Sequence, residues 1–398
     1  MRTVAGEETV FNRVQKDIVY FRPEGETIRL GEMREVLLPE TVGILQFQYN
    51  RDKFRLQNRS GGGSFKGMRA HFSHTYENII ATDNLLGAWK EFLKGKRNKC
   101  DVQEFEYQLS ENIIELHREL ANKTYTHGGY YAFGISDPKP RSIHKASVRD
   151  RLLHHALYRK LYPFFDRAFI SDSYSCREGK GTHRAITTFR RYAYQESKNN
   201  TRTLWMLKCD IRKFFASVDQ AILMDILRSY IPDEDILWLI GRVIDSFSSS
   251  AIGKGLPLGN LTSQLLVNIY MNEFDQFTKH HLKAKYYIRY ADDFVILSRN
   301  YAELESLLLQ IENFLHDRLA LSLHPDKVFI KTLASGVDFL GWVHFPTYRV
   351  LRTATKRRMF RNLSQGARSE RVASYSGMLS HGNGRKLQAR IESFILPS

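Results

Sequence analysis

The chain reads as an α+β protein built on an antiparallel sheet, with strand, helix, hairpin, helix and strand in a split β-α-β order. Three observations predict this. Thr203-Leu204-Trp205-Met206-Leu207-Lys208-Cys209 is an apolar strand that ends at Asp210. From Tyr286 to Ser298, two runs of aromatic and β-branched residues flank the adjacent Asp292 and Asp293, a hairpin signal. Leu304, Leu307-Leu308, Ile311 and Leu315 then recur at helical spacing before a strand around Val328-Phe329-Ile330. Helices are expected on one face of this sheet, leaving the other free to cradle a substrate.

The 398 residues leave room for two or three packed units. Lys and Arg number 59 against 43 Asp and Glu, a formal charge of +16 that attracts polyanions such as nucleic acid. A solvated basic face is the plainer alternative. No basic amphipathic stretch points to a membrane surface, and no run approaches the roughly 20 apolar residues of a membrane span. Cys100, Cys176 and Cys209 make neither an even framework nor a C-x-x-C pair, and the N-terminus lacks a signal-peptide core. A cytoplasmic protein is expected.

In chain order, residues 1–67 form an extension that carries no motif and ends in a Gly/Ser linker at Asn58-Arg59-Ser60-Gly61-Gly62-Gly63-Ser64. Asn84 to Leu93 and Phe105 to Leu120 predict two helices. The intervening loop Lys94 to Lys99 is suited either to phosphates or to plain solvation. Pro138 to Ile143 is an extended basic strand, and Ser147-Val148-Arg149-Asp150 is a helix start of capping-box type. Behind it, His154 and His155 are neighbours on the helix and point in different directions, which argues against a metal site. Cys176 to Ile186 is a glycine-rich basic loop entering a helix, with Thr182 as its cap. It lacks P-loop spacing, yet can offer N–H groups and cations to a nucleic-acid backbone. Ser217 is expected to cap the next helix, with Asp219 in its first turn as a structural residue. Gly253 to Asn260 is a loop before a helix from Leu261 to about Leu282. Past Trp342 the chain turns basic, as a helical clamp or a solvated bundle.

Adjacent carboxylates at a hairpin tip repel one another unless a cation lies between them. Asp210, Asp292 and Asp293 converge in the proposed sheet, the arrangement that nucleotidyl transfer with two Mg²⁺ ions requires.

From about residue 75 onward the sequence resembles the reverse transcriptases. Tyr290-Ala291-Asp292-Asp293 matches that superfamily's signature, and Asp210 its partner carboxylate. The resemblance implies a right-hand polymerase fold, with fingers at 68–202, a palm at 203–345 and a basic helical thumb at 346–398. It implies a metal set of Asp210, Ile211, Asp292 and Asp293 holding two Mg²⁺, and Lys327 as the proton donor to pyrophosphate. Lys139, Arg141, Phe215, Leu258 and Gly259 are the implied nucleotide contacts, Phe215 excluding a 2′-hydroxyl. Arg177, Lys180, Gln264, Tyr290, Leu340 and Gly341 are the implied nucleic-acid contacts.

Leu258-Gly259, with Ser263-Gln264 following, departs from the common Gln-Gly and Ser-Pro pattern and is similar to reverse transcriptases of diversity-generating retroelements. That likeness implies low-fidelity copying of a template-repeat RNA into cDNA, with errors at adenines, from a primer and dNTPs. It also implies a small basic accessory protein, itself oligomeric, as a partner. A group II intron-type or retron enzyme is the alternative, and a non-catalytic RNA-binding module on the same scaffold is the second.

Overall fold

The computed structural model describes residues 71–135, 140–249, 251–365 and 369–392, and a short antiparallel pairing of Tyr20–Phe21 with Thr27–Ile28. The chain divides into two compact units, Met1–Gly67 and Met68–Ser398. Apart from that pairing, the extension and its linker lie outside the described residues.

The second unit begins with helices α1 (Tyr76–Ile80), α2 (Thr82–Phe92), α3 (Cys100–Tyr107) and α4 (Leu109–Ala121). The single helix expected from Phe105 to Leu120 is broken at Gln108, whose ψ of 38° leaves helical geometry. Strands β1 (Tyr131–Ile135) and β2 (Arg141–Lys145) pair antiparallel and lead into α5 (Val148–Ala168). Ser147 caps α5 as expected, its Oγ accepting from the Asp150 N–H at 3.1 Å. The cap of α6 (Thr182–Glu196) is Gly181, because that position takes φ +99°, which glycine adopts without a Cβ penalty.

The central sheet holds β3 (Trp205–Asp210), β4 (Tyr287–Tyr290), β5 (Asp293–Ser298) and β6 (Phe329–Thr332), in the order β4-β5-β3-β6 with every pair antiparallel. Between β3 and β4 come α7 (Phe214–Ser217), α8 (Gln220–Arg228), α9 (Glu234–Asp245) and α10 (Leu261–Gln276), the last prolonged by a π turn at Phe277–His281. Helix α11 (Tyr301–Leu319) joins β5 to β6. Asp219, rather than Ser217, caps α8 by accepting from the N–H groups of Ala221 and Ile222, so its structural role holds at a different position.

Strand alternation sorts the sheet into two faces. Leu207, Cys209, Phe294 and Ile296 join the main core with α10 and α11. Met206, Ile288, Val295 and Leu297 lie on the opposite face. That face is not free, contrary to expectation: Ala185, Phe189 and Ala193 of α6 cover it, together with Val337 and Phe339. Both faces carry apolar side chains, so both must be buried. Solvent reaches the sheet at its carboxylate end.

The remaining strands, β7 (Val337–Phe339), β8 (Trp342–His344) and β9 (Arg349–Leu351), form a small antiparallel sheet. Helices α12 (Thr353–Ser364), α13 (Ser369–Leu379) and α14 (Arg385–Glu392) follow. Trp342, Leu351, Met359, Leu363, Val372, Leu379 and Ile391 give them a core of their own, joined by Ile186. Among the described residues, no helix is long and apolar enough to cross a membrane.

Candidate active site

The register of β3 against β5 places Asp210 opposite Asp293, and Asp292 occupies the turn between β4 and β5. Ala291 takes φ +57° in that turn. The conformation is held from beneath, since Arg289 donates from Nη1 to the Ala291 carbonyl at 3.1 Å. Backbone contacts fix the neighbouring carboxylates: Ile211 N donates to Asp292 O at 3.1 Å, and His324 N donates to Asp210 O at 2.7 Å.

The electrostatics of three close acids follow from this geometry. Burial pushes the Asp293 carboxyl up to about 7; Lys208 opposes the rise, while Asp292 and Asp210 add to it. Burial also raises Asp292, Asp210 adding to the shift and Lys327 and Arg141 opposing it. Lys327 Nζ donates to Asp210 Oδ1 at 2.8 Å, and Lys208 Nζ lies 3.4 Å from Asp293 Oδ2. Among the described residues, no three His, Cys, Asp or Glu side chains form a ready-made metal cage. The chemistry nevertheless suits a hard cation. The donors are carboxylate oxygens, and Asp293 Oδ1 is buried with no hydrogen-bond partner.

The loop before α10 docks against β2. His144 N donates to Leu258 O at 3.0 Å, and Asn260 Nδ2 donates back to His144 O at 2.9 Å. Leu256 N reaches Phe215 O at 2.8 Å. A Cβ on Gly259 would stand 2.8 Å from Ile143 Cγ2, and Gly259 takes φ +105°, so glycine is required there on both counts. Arg141, at the start of β2, opposes the rise of the Asp292 carboxyl, while Phe215 and Leu258 are tied to this loop by the backbone bonds just given. Lys139 lies outside the described residues.

The expected nucleic-acid contacts divide. Tyr290 ends β4, its hydroxyl accepting from Thr182 Oγ1 at 3.2 Å. Gln264 is half-buried in the first turn of α10. Leu340 and Gly341 make the two-residue turn between β7 and β8, both with positive φ, at +51° and +86°. Arg177 does not join them. Its guanidinium, 5% exposed, turns inward to Asp166 Oδ1 and to the carbonyls of Asp166, Ile170 and Ser173. Lys180 Nζ donates to Ser171 O at 2.8 Å. Both side chains tie their loop to the end of α5 and the segment after it, whose carbonyls accept from them.

His154 stacks on His127, and burial drives its imidazole down to about 3, so it is held neutral in the interior. Two features escaped the sequence reading. Lys208 is nearly buried beside Asp293, and the buried Arg289 pairs with Asp275 below the turn. The only local signal was a cation set within each apolar run.

A family model described as reverse transcriptase (RNA-dependent DNA polymerase) matches residues 136–344. Protein YkfC of Escherichia coli is 28% identical over 243 residues, 52% of this chain and 63% of that protein. Group II intron-encoded protein LtrA of Lactococcus lactis is 23% identical over 287 residues, 55% of this chain and 46% of that protein. Nuclear intron maturase 1, mitochondrial, of Arabidopsis thaliana is 28% identical over 137 residues, 34% of this chain and 18% of that protein. The chain thus spans only part of each relative's length. With its family model covering more than half of it, the chain belongs to the reverse transcriptase (RNA-dependent DNA polymerase) family.

Proposed function

We propose that this protein is an RNA-directed DNA polymerase that extends a DNA primer on an RNA template by magnesium-dependent nucleotidyl transfer. The observation that carries the reading is the meeting of Asp210, Asp292 and Asp293 at the open end of the antiparallel sheet, within the span of the family match. In this reading 68–202 are the fingers, 203–345 the palm and 346–398 the thumb of a right-hand polymerase.

Asp210, Asp292 and Asp293, with the main chain at Ile211, would hold two Mg²⁺ ions, which when bound neutralise charge on the attacking and leaving oxygens. Lys327, against Asp210, sets a cation where a departing pyrophosphate needs a proton. Arg141 faces the triphosphate, with Lys139 as its expected partner. Phe215 and the Leu258-Gly259 loop bound the sugar and base, while Tyr290, Gln264, Leu340 and Gly341 border the primer and template. The test is primer extension on RNA. Asp292→Asn should abolish extension while RNA binding persists; extension at the parental rate would refute the assignment.

The relatives named as a group II intron-encoded protein and an intron maturase support a group II intron-type lineage. One observation favours a second reading, error-prone copying of the diversity-generating kind with a small basic accessory protein. Leu258, its carbonyl taken by His144, offers the nucleotide no side-chain amide. Weaker positioning narrows the gap between correct and incorrect transition states. In that reading Leu258→Gln lowers misincorporation at template adenines, and an unchanged error frequency removes it.

A further inference from the structure

The strand that delivers Asp210 carries a lysine where an apolar residue would be expected. Lys208 is 8% exposed, and a lysine so buried needs partners for its ammonium group. Alternation puts it on the same face as Asp210, and register sets it opposite Val295, two residues beyond Asp293. Its Nζ donates to the Asp338 carbonyl at 3.0 Å and lies 3.4 Å from Asp293 Oδ2. Among the described residues this is the one ion pair that Asp293 makes, and its other oxygen is buried without a partner. Asp338 lies in β7, and its carboxylate pairs with Arg352, the residue that precedes α12. One series of polar contacts therefore runs from a catalytic carboxylate, through Lys208, to the β7–β8 hairpin and the first C-terminal helix.

We propose that Lys208 is a positioning residue, which fixes the orientation of the Asp293 carboxylate and makes it depend on how the β7–β8 hairpin is seated. The inference rests on the polymerase reading for what the orientation serves. Its physical content is separate: a cation tethered to a backbone carbonyl restrains the Asp293 carboxylate, whose other oxygen is buried without a hydrogen-bond partner. Replacing the ammonium by an apolar group of similar length has two opposite consequences. The carboxylate loses its fixed orientation, which slows the reaction. A positive charge also leaves the vicinity of the acids, which strengthens the binding of a divalent cation. A lysine that merely filled space would leave the rate unchanged.

The experiment uses the full chain as parent, Lys208→Met and Lys208→Arg. Mn²⁺ binding is measured by electron paramagnetic resonance on protein free of nucleic acid, and single-turnover primer extension over a range of nucleotide concentrations. For Lys208→Met we expect the maximal rate to fall about tenfold or more, KM for nucleotide to stay within roughly threefold, and Mn²⁺ to bind several-fold more tightly. Lys208→Arg, which keeps the charge and a donor, should recover most of the rate. The proposal is overturned if Lys208→Met keeps its rate within about twofold, or loses rate with unchanged or weaker Mn²⁺ binding. Should Lys208→Met fail to fold, Arg352→Gln replaces it, loosening Asp338 from a half-exposed site. A rate lowered about threefold with KM unchanged then supports the tether, and an unchanged rate overturns it. If the parent itself extends no primer, the polymerase reading fails, while the Mn²⁺ measurement still decides whether the Lys208 charge acts on the acids.

Discussion

Asp275→Asn would remove the counter-charge from a fully buried guanidinium while leaving side-chain volume almost unchanged. Arg289 is 1% exposed. Its Nε and Nη2 make a two-pronged contact with Asp275 at 2.8 and 2.7 Å. Its remaining donors reach Asn268 Oδ1, Ser173 Oγ and the Ala291 carbonyl. Tyr287 also donates to Asp275 Oδ1, at 2.7 Å. In the variant an amide N–H₂ faces N–H donors, and the guanidinium stays charged, because no interior environment deprotonates it readily. Breaking a buried pair from one side costs about 3 to 5 kcal/mol. At a urea dependence of roughly 3 kcal/mol per molar, the unfolding midpoint falls by on the order of 1 M. Arg289 holds the carbonyl one residue before Asp292, so primer extension should slow in conditions where the variant is still folded. Circular dichroism across a urea series, with extension measured in the same buffer, tests both effects. A stability loss below about 1 kcal/mol, the range of exposed pairs, would show that Arg289 does not depend on Asp275 and refute the reasoning.

Two further outcomes follow from the site. Gly259→Ala sets a Cβ 2.8 Å from Ile143 Cγ2 at a φ of +105°, so stability should fall by about 1 to 3 kcal/mol and KM for nucleotide should rise. An unchanged KM in steady-state extension would detach this loop from the nucleotide. The Asp293 carboxyl, raised to about 7 by burial, binds its proton more tightly folded than unfolded. Its contribution is therefore fully present below the unfolded value of about 3.9 and is lost as pH rises through about 7. Without divalent cations, Asp293→Asn should be more stable than the parent at pH 8 by on the order of 4 kcal/mol, the difference vanishing near pH 4. Thermal melting across that range checks it, and a difference independent of pH would contradict the burial of this acid.

The sequence alone placed Asp210, Asp292 and Asp293 at the ends of neighbouring strands and set the order of elements around them. Strand pattern, adjacent aspartates and helical periodicity are local signals, and β3, the β4–β5 hairpin and α11 formed where those signals lay. The site's electrostatics were out of reach, because they depend on which distant groups meet. Arg177, read as a phosphate contact from its basic loop, is consumed by Asp166 and three carbonyls. The sheet face expected to be open is closed by α6 and β7, residues before and after the sheet in the chain. Lys208 reads in sequence as one cation in an apolar strand. Only the packed structure brings it between Asp293 and Asp338, which lies 130 residues away along the chain. Periodicity fixes which way a side chain faces, whereas the partner it finds is set by long-range packing.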